Sequence, residues 1–435
     1  MTVTKNFNYI IQEVTSNLII NFKTPEELMK FMMEDKNNEH IDSDYTLASG
    51  LSGLLLLISQ LQKEEIVWNE YGYECMKLLN KYISDGKINN LSLWGGLTGI
   101  AASAYLLSNK GEYYSNFINQ LNEIILDNLS FYLGGSLNNL TSSRTTSLDF
   151  EAIYGLAGIT RYLLFFKENP KVNEMIRNIL NYFIQLNNKV NYREQKVPGY
   201  FISEGNQLNN DSINYPGGHL DLGLSHGMCG PLSVMALSLE HGIEQPGQIS
   251  AINDMVEQLL KWMQKDQEGV WWPTKINFNE FINEDFIQKQ DLIYGWCYGT
   301  PGVARILWIC GRALNNKEYQ EIALSAYKAI CKKDFKNLKI QTPTFCHGIS
   351  GILHLTHLMY IESFDKELLS FKNNLAEKIL QYYDAENPLG FYDITYSGKK
   401  NLSIGALDGV SGILAVLNSI NSNEIPEWSF LYLTN

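Results

Sequence analysis

Hydrophobic positions along the chain fall into two alternating textures. The first is amphipathic at helical spacing: Val172, Met175, Ile176, Ile179, Leu180 and Phe183 share one helix face, as do Ile252, Met255, Val256, Leu259 and Met263. Tyr319, Ile322, Ala323, Ala326 and Ile330 repeat the pattern. The second texture is apolar nearly all round, as in the segments from Ile100 to Leu107 and from Ile352 to Met359. Such segments predict helices buried on both sides. Each of them opens on a Gly-x-x-Gly element, at Gly50/Gly53, Gly96/Gly99, Gly155/Gly158, Gly227/Gly230, Gly299/Gly302, Gly348/Gly351 and Gly409/Gly412. Successive first glycines lie 46, 59, 72, 72, 49 and 61 residues apart. One buried and one amphipathic helix per repeat predict an all-α fold in two concentric layers, the amphipathic helices outside. The terminal repeats keep the apolar glycine element where an open solenoid would need a polar cap, which favours a closed ring.

The repeats run through the whole sequence, so a single domain spanning 1–435 is expected although its length would allow two or three. The widest spacings flank residues 188–222, where VNYREQKVPGYFI (Val190 to Ile202) and the Gly/Pro/Asn-rich stretch to Gly218 do not read as helix. A loop or small strand-containing insertion is expected there, with a shorter interruption at Gly269 to Pro273.

Composition narrows the function. A hydrophobic content of 45% and 19% charged residues are those of a globular protein with a sizeable core. The net charge of −13, with no basic cluster, argues against nucleic acid as a partner. The polar start from Met1 to Tyr9 lacks a signal-peptide run, and the longest apolar runs are too short to span a bilayer, so a cytoplasmic protein is expected. Six cysteines in such a chain are no disulfide scaffold; they are core residues, metal ligands or catalytic thiols.

If the repeats are equivalent, equivalent registers converge on one end of the stack. The residue before each first glycine reads Ser49, Gly95, Tyr154, His226, Tyr298, His347 and Asp408. One position earlier come Ala48, Trp94, Ile153, Ser225, Cys297, Cys346 and Leu407. Repeats four to six thus bring His226, Cys297 with Tyr298, and Cys346 with His347 into neighbouring slots. Two thiolates and one imidazole suit Zn2+, and three protein ligands leave a fourth position open. Cys310 and His354 lie thirteen and seven residues beyond Cys297 and His347, about 20 and 10 Å deeper along a helix. With Cys75, Cys229, Cys331 and His357 they read as core residues. His40, His219 and His241 fall in loops or helix ends without an assignable partner.

Trp296-Cys-Tyr-Gly-Thr-Pro-Gly302, Cys346-His-Gly-Ile-Ser-Gly351, Ser225-His-Gly227 and Leu407-Asp-Gly-Val-Ser-Gly412 together resemble the lanthionine synthetase C-like cyclases. The resemblance covers essentially the whole chain. It implies an α/α toroid of seven inner and seven outer helices with one zinc ion held by Cys297, Cys346 and His347. It also implies a stand-alone, class I lanthipeptide cyclase, which adds cysteine thiolates of a dehydrated precursor peptide to dehydroalanine or dehydrobutyrine to form thioether rings. His226 matches the histidine proposed as acid/base in that family, and Tyr298 the tyrosine beside the first zinc cysteine. A dehydratase and an ABC exporter, in a complex at the inner face of the membrane, are the partners the resemblance implies. Two positions depart from the family pattern. The slot that usually holds Asp, four residues before the third glycine, is Glu151, with Asp149 two residues earlier; either carboxylate could serve His226. The slot that tends to hold Arg, four residues before Cys297, is Ile293. Two other readings keep the zinc site: glutathione addition to dehydrated proteins, and a non-catalytic scaffold that binds the precursor.

Overall fold

The computed structural model describes residues 2–34, 44–62, 66–208, 210–287 and 293–435; His40 lies outside them. Each glycine element opens a helix: α1 Leu51–Leu61, α2 Leu97–Leu107, α3 Leu156–Leu163, α4 Cys229–Glu240, α5 Thr300–Ala313, α6 Ile349–Ser363 and α7 Val410–Ser419. Every residue of α2 and α3 is buried, which is why their sequences lack a polar face. The helices between them are one-sided. In Pro170–Leu186, Asn169 caps the first turn through its side chain and Pro170 occupies the first helical position. The apolar positions of that helix are buried and its Lys171 and Glu174 are exposed.

The chain divides into two compact units. The first comprises residues Met1–Asn122 and Lys339–Trp428. In it α6 packs on α7, α7 on α1 and α1 on α2, so the last repeat sits directly beside the first. Backbone bonds staple this seam: Ala406 N–H to the Leu47 carbonyl (3.0 Å) and Leu407 N–H to the Ala48 carbonyl (3.0 Å). The expected pairing of one amphipathic helix after each inner helix ends here. The helix packed on α7 is Thr2–Asn21, from the other end of the sequence. A chain that closes on itself has this option, because N- and C-terminal repeats share one neighbour.

Gly53 lies in the seam. A Cβ there would stand 2.4 Å from the Ala406 nitrogen, 2.6 Å from the Gly405 Cα and 2.6 Å from the Leu47 oxygen, all backbone atoms that cannot rotate away. Gly53→Ala is expected to destabilise the chain by about 1–3 kcal/mol or more through overpacking. Gly134→Ala, inside the helix Ser115–Thr141 with nothing within 4 Å, should be neutral or stabilising by up to about 1 kcal/mol. Denaturant midpoints of the two variants check the pair.

The second unit comprises Glu123–Leu338 and Ser429–Asn435. Here α3 packs on α4 and α4 on α5. The segment 429–435 threads against all three: Arg161 of α3 donates to the Asn435 carbonyl (2.8 Å), Ser233 of α4 to that of Leu433 (2.6 Å), and Arg305 of α5 to that of Thr434 (2.9 Å). Those bonds explain how two arginines come to be buried in apolar helices. The region around 188–222 contains short strands, and also one short helix, Asp211–Asn214, where the sequence predicts none. Lys189–Tyr192 pairs antiparallel with Gln195–Pro198 through a two-residue turn at Arg193 and Glu194, both at positive φ. His219–Asp221 pairs with Lys275–Asn277, placing Asp221 opposite Lys275. The interruption near Gly269 is a second short ribbon, Gln264–Lys265 against Val270–Trp271. No described helix is long and apolar enough to cross a membrane.

Candidate metal centre and its surroundings

The turns before the inner helices are laced together by backbone bonds in one register. In the first unit, Ala48 N–H reaches the Trp94 carbonyl (3.1 Å), and Phe345 and Cys346 N–H reach that of Leu407 (both 3.0 Å). In the second, Ala152 N–H reaches the Ser225 carbonyl (3.0 Å), and Leu224 and Ser225 N–H reach that of Cys297 (2.9 and 3.2 Å). Within each unit this ladder is the physical reason that equivalent slots of the repeats share one level. A residue just before a glycine pair is held by its neighbour's backbone whatever its side chain.

Ligand atoms of Cys297, Cys346 and His347 all lie within 4.8 Å of one another, and the group could hold a metal ion. Two sulfurs and one imidazole are also a donor set that zinc prefers over magnesium or calcium. Cys297 is buried and Cys346 and His347 are half-buried. Burial lowers the pKa of His347 while the charge of Asp393 acts against that, and the net direction is down, which keeps the imidazole in the neutral form that ligates metals. Tyr396 stacks on this ring with centroids 5.2 Å apart.

Glu151 and His226 form a dyad, with Nδ1 of the imidazole 2.8 Å from Oε2 of the carboxylate. Glu151 is fully buried and accepts N–H bonds from Ile153 (2.9 Å), Tyr154 and Gly155 (2.8 Å) at the start of α3. A buried carboxylate is tolerable there because the helix N-terminus supplies donors and a positive dipole end. Asp149 is engaged elsewhere: it takes N–H and hydroxyl bonds from Thr146 (2.8 and 3.1 Å) and an amide bond from Asn139 (2.9 Å). Of the two carboxylates left open by the sequence, Glu151 is the one that reaches the histidine. Desolvation pushes the His226 pKa down, but the hydrogen bond and charge of Glu151 outweigh it and the net shift is upward.

Tyr298 donates its hydroxyl to Asp221 Oδ2 (3.1 Å), and its ring centroid is 6.3 Å from that of His226. Burial and then the nearby Asp221 carboxylate hold the phenol well above its ordinary pKa, so it stays protonated. The ring packs against Gly223, where a Cβ would come within 2.5 Å of it. Asp221 and Lys275 carry no motif and were not legible as site residues; only their cross-strand pairing brings them here. His219 does have partners, Gln207 at 3.0 Å and Asp211 at 3.7 Å. Ile293 leaves the family's arginine slot without charge.

The other candidates fall where depth along the helices puts them. Cys75, Cys229 and Cys310 are buried thiols, and Cys331 is half-buried in the outer helix Lys317–Cys331. His354 is buried against Trp428, centroids 4.7 Å apart, and His357 is fully buried.

Comparison with known proteins matches this arrangement. The solved structure of a nisin cyclase superimposes with a TM-score of 0.79 at 24% identity, covering 94% of this chain and 96% of that one. The fold is accordingly an α/α toroid. The nisin biosynthesis protein NisC of Lactococcus lactis subsp. lactis is 26% identical over 392 residues, 88% of this chain and 87% of that protein. The model of the lanthionine synthetase C-like proteins matches residues 42–433. With seven glycine-led inner helices, a Cys-Cys-His cluster and a match across nearly its whole length, the chain belongs to the lanthionine synthetase C-like family.

Proposed function

We propose that this chain is a zinc-dependent lanthipeptide cyclase, adding cysteine thiolates of a dehydrated precursor peptide to dehydroalanine or dehydrobutyrine to close thioether rings. The observation that carries it is the convergence of Cys297, Cys346 and His347 within reach of one ion, in a chain similar to a nisin cyclase. Bound there, zinc would supply a Lewis acid that lowers the pKa of an incoming peptide thiol. Two thiolate ligands offset the ion's charge, which keeps such a thiol electron-rich.

Conjugate addition makes a C–S bond at the β-carbon and leaves an enolate that takes a proton at the α-carbon. His226 is the donor for that proton. Glu151 holds Nδ1, fixes the ring, and favours the charged imidazolium. That leaves the other ring nitrogen, on a side chain 37% exposed, to serve the substrate. Tyr298, neutral and anchored by Asp221, is placed to orient the peptide or the enolate oxygen. A dehydratase would supply the substrate and an exporter remove the product, on the cytoplasmic side of the membrane.

Incubating the chain with zinc and its dehydrated precursor should remove free thiols without changing the peptide's mass. Persistent thiols with intact binding would sink the cyclase reading in favour of a scaffold. A mass gain of one glutathione per site would favour the intermolecular variant of the same addition.

A further inference from the structure

Lys275 is nine-tenths buried and lies on a strand of three residues whose next position, Ile276, is wholly apolar and buried. Its Nζ is 2.6 Å from Asp211 Oδ2 and 3.6 Å from Asp221 Oδ2, and 5.6 Å from the centroid of the Tyr298 ring. Withdrawing an ammonium and the Asp221 carboxylate from water is expensive, and well-packed apolar residues of similar volume often stabilise a fold as well. A short strand pair has no need of such a cluster for its own sake. What the cluster does hold is Asp221, and both oxygens of Asp221 are committed. Oδ1 takes the N–H of Gly223 (2.8 Å), at the start of the loop that carries His226. Oδ2 takes the Tyr298 hydroxyl (3.1 Å), one residue from Cys297. One carboxylate therefore ties the His226 loop to the Cys297–Tyr298 loop, and Lys275 is the cation that pairs with it and keeps it turned.

We propose that Lys275 is a positioning residue for ring closure, acting through Asp221 to hold the Tyr298 hydroxyl and the His226 loop in register with one another. This rests on the cyclase reading above. Without the ammonium, Asp221 swings toward other donors and the Tyr298 hydroxyl loses its fixed acceptor. A displacement of about 1 Å at a positioned group is enough to cost on the order of a hundredfold in rate.

The test is a double-mutant cycle on the full chain with zinc and dehydrated precursor, reading kcat, KM, zinc content and thermal midpoint for each variant. Lys275→Gln is expected to lower kcat about 10–100-fold with KM within about threefold of wild type and zinc content unchanged. Lys275→Arg should recover most of that loss. In the Tyr298→Phe background Lys275→Gln should cost distinctly less than in the wild type, because one of the two groups that Asp221 holds is gone. Should Lys275→Gln fold poorly, Lys275→Met, which suits the apolar wall, and Asp221→Asn are measured in the same cycle. Equal losses in the wild-type and Tyr298→Phe backgrounds, unchanged kcat, or a loss that follows unfolding or zinc content would overturn the proposal. A wild-type chain that closes no rings removes the cyclase reading and this proposal together; a wild type that closes rings, alongside Lys275 variants that do so equally well, removes this proposal alone.

Discussion

Replacing Cys297 by Ala should leave a folded chain that retains less than about a tenth of its zinc and closes no rings above background. Three protein ligands are the minimum for a zinc that keeps an open position, and loss of even an outer-shell partner typically costs 10–100-fold in affinity. Loss of a thiolate costs more, since it also removes one of the two charges that neutralise the ion. The fold should survive because Cys297 contributes its backbone to the inter-repeat ladder: its carbonyl accepts the Leu224 and Ser225 N–H groups, and Ala keeps that carbonyl. Elemental analysis, thermal unfolding and the thiol assay on one preparation separate these effects. Cys310→Ala is the opposite case. That thiol is fully buried, and burial pushes its pKa far above the ordinary cysteine value, so it has the character of a packing group. Its loss should lower the unfolding midpoint and leave zinc in place. A Cys297→Ala chain with full zinc content would remove the assignment of the ligands.

The fold and the ligand cluster were legible in the sequence for a single reason, the repetition. Gly-x-x-Gly followed by an all-apolar run recurs seven times, and a repeat fixes a register. Register is a statement about backbone, and the ladder from Ala48 to Trp94 or from Leu224 to Cys297 is what makes it hold in space. Cys297 and His226 therefore share a level that the repeat register alone implies. Features that depend on side-chain reach or on contacts outside the repeat were not legible. Asp149 and Glu151 differ by two residues, and only the short helical turn Ser147–Asp149, which Asp149 closes on Thr146, turns one away and the other inward. Asp221 and Lys275 are 54 residues apart in irregular sequence, brought together by a strand pair too short to carry a periodic signal. The helix that packs on the last inner helix comes from the N-terminus, a neighbour that no local pattern after the last glycine element announces. The segment 429–435 has no periodicity either, and its role follows from carbonyls that happen to meet Arg161, Ser233 and Arg305.

His226→Asn should reduce kcat for ring closure by about 10²–10⁴-fold while zinc content and peptide binding stay near wild type. The size follows from the removal of a positioned general acid; the retained zinc follows because His226 is not among the ligand trio. The pH profile makes the assignment specific. The donor must be protonated, so the rate is flat below the His226 pKa and falls as pH rises through it. Desolvation lowers that pKa, and Glu151, by hydrogen bond and charge, raises it beyond the ordinary value. Glu151→Gln removes the charge and leaves desolvation in command, so the alkaline limb of the profile should move to lower pH. It should also cost rate, because the fixed acceptor at Nδ1 is what aims the ring. Asp149→Asn, whose carboxylate is occupied by Thr146 and Asn139, should leave the limb where it is and act on stability alone. In His226→Asn the limb should disappear from whatever rate remains. If it persists unchanged in that variant, the proton comes from another group, and Tyr298, the protonated phenol 6.3 Å away ring to ring, would be the next to replace.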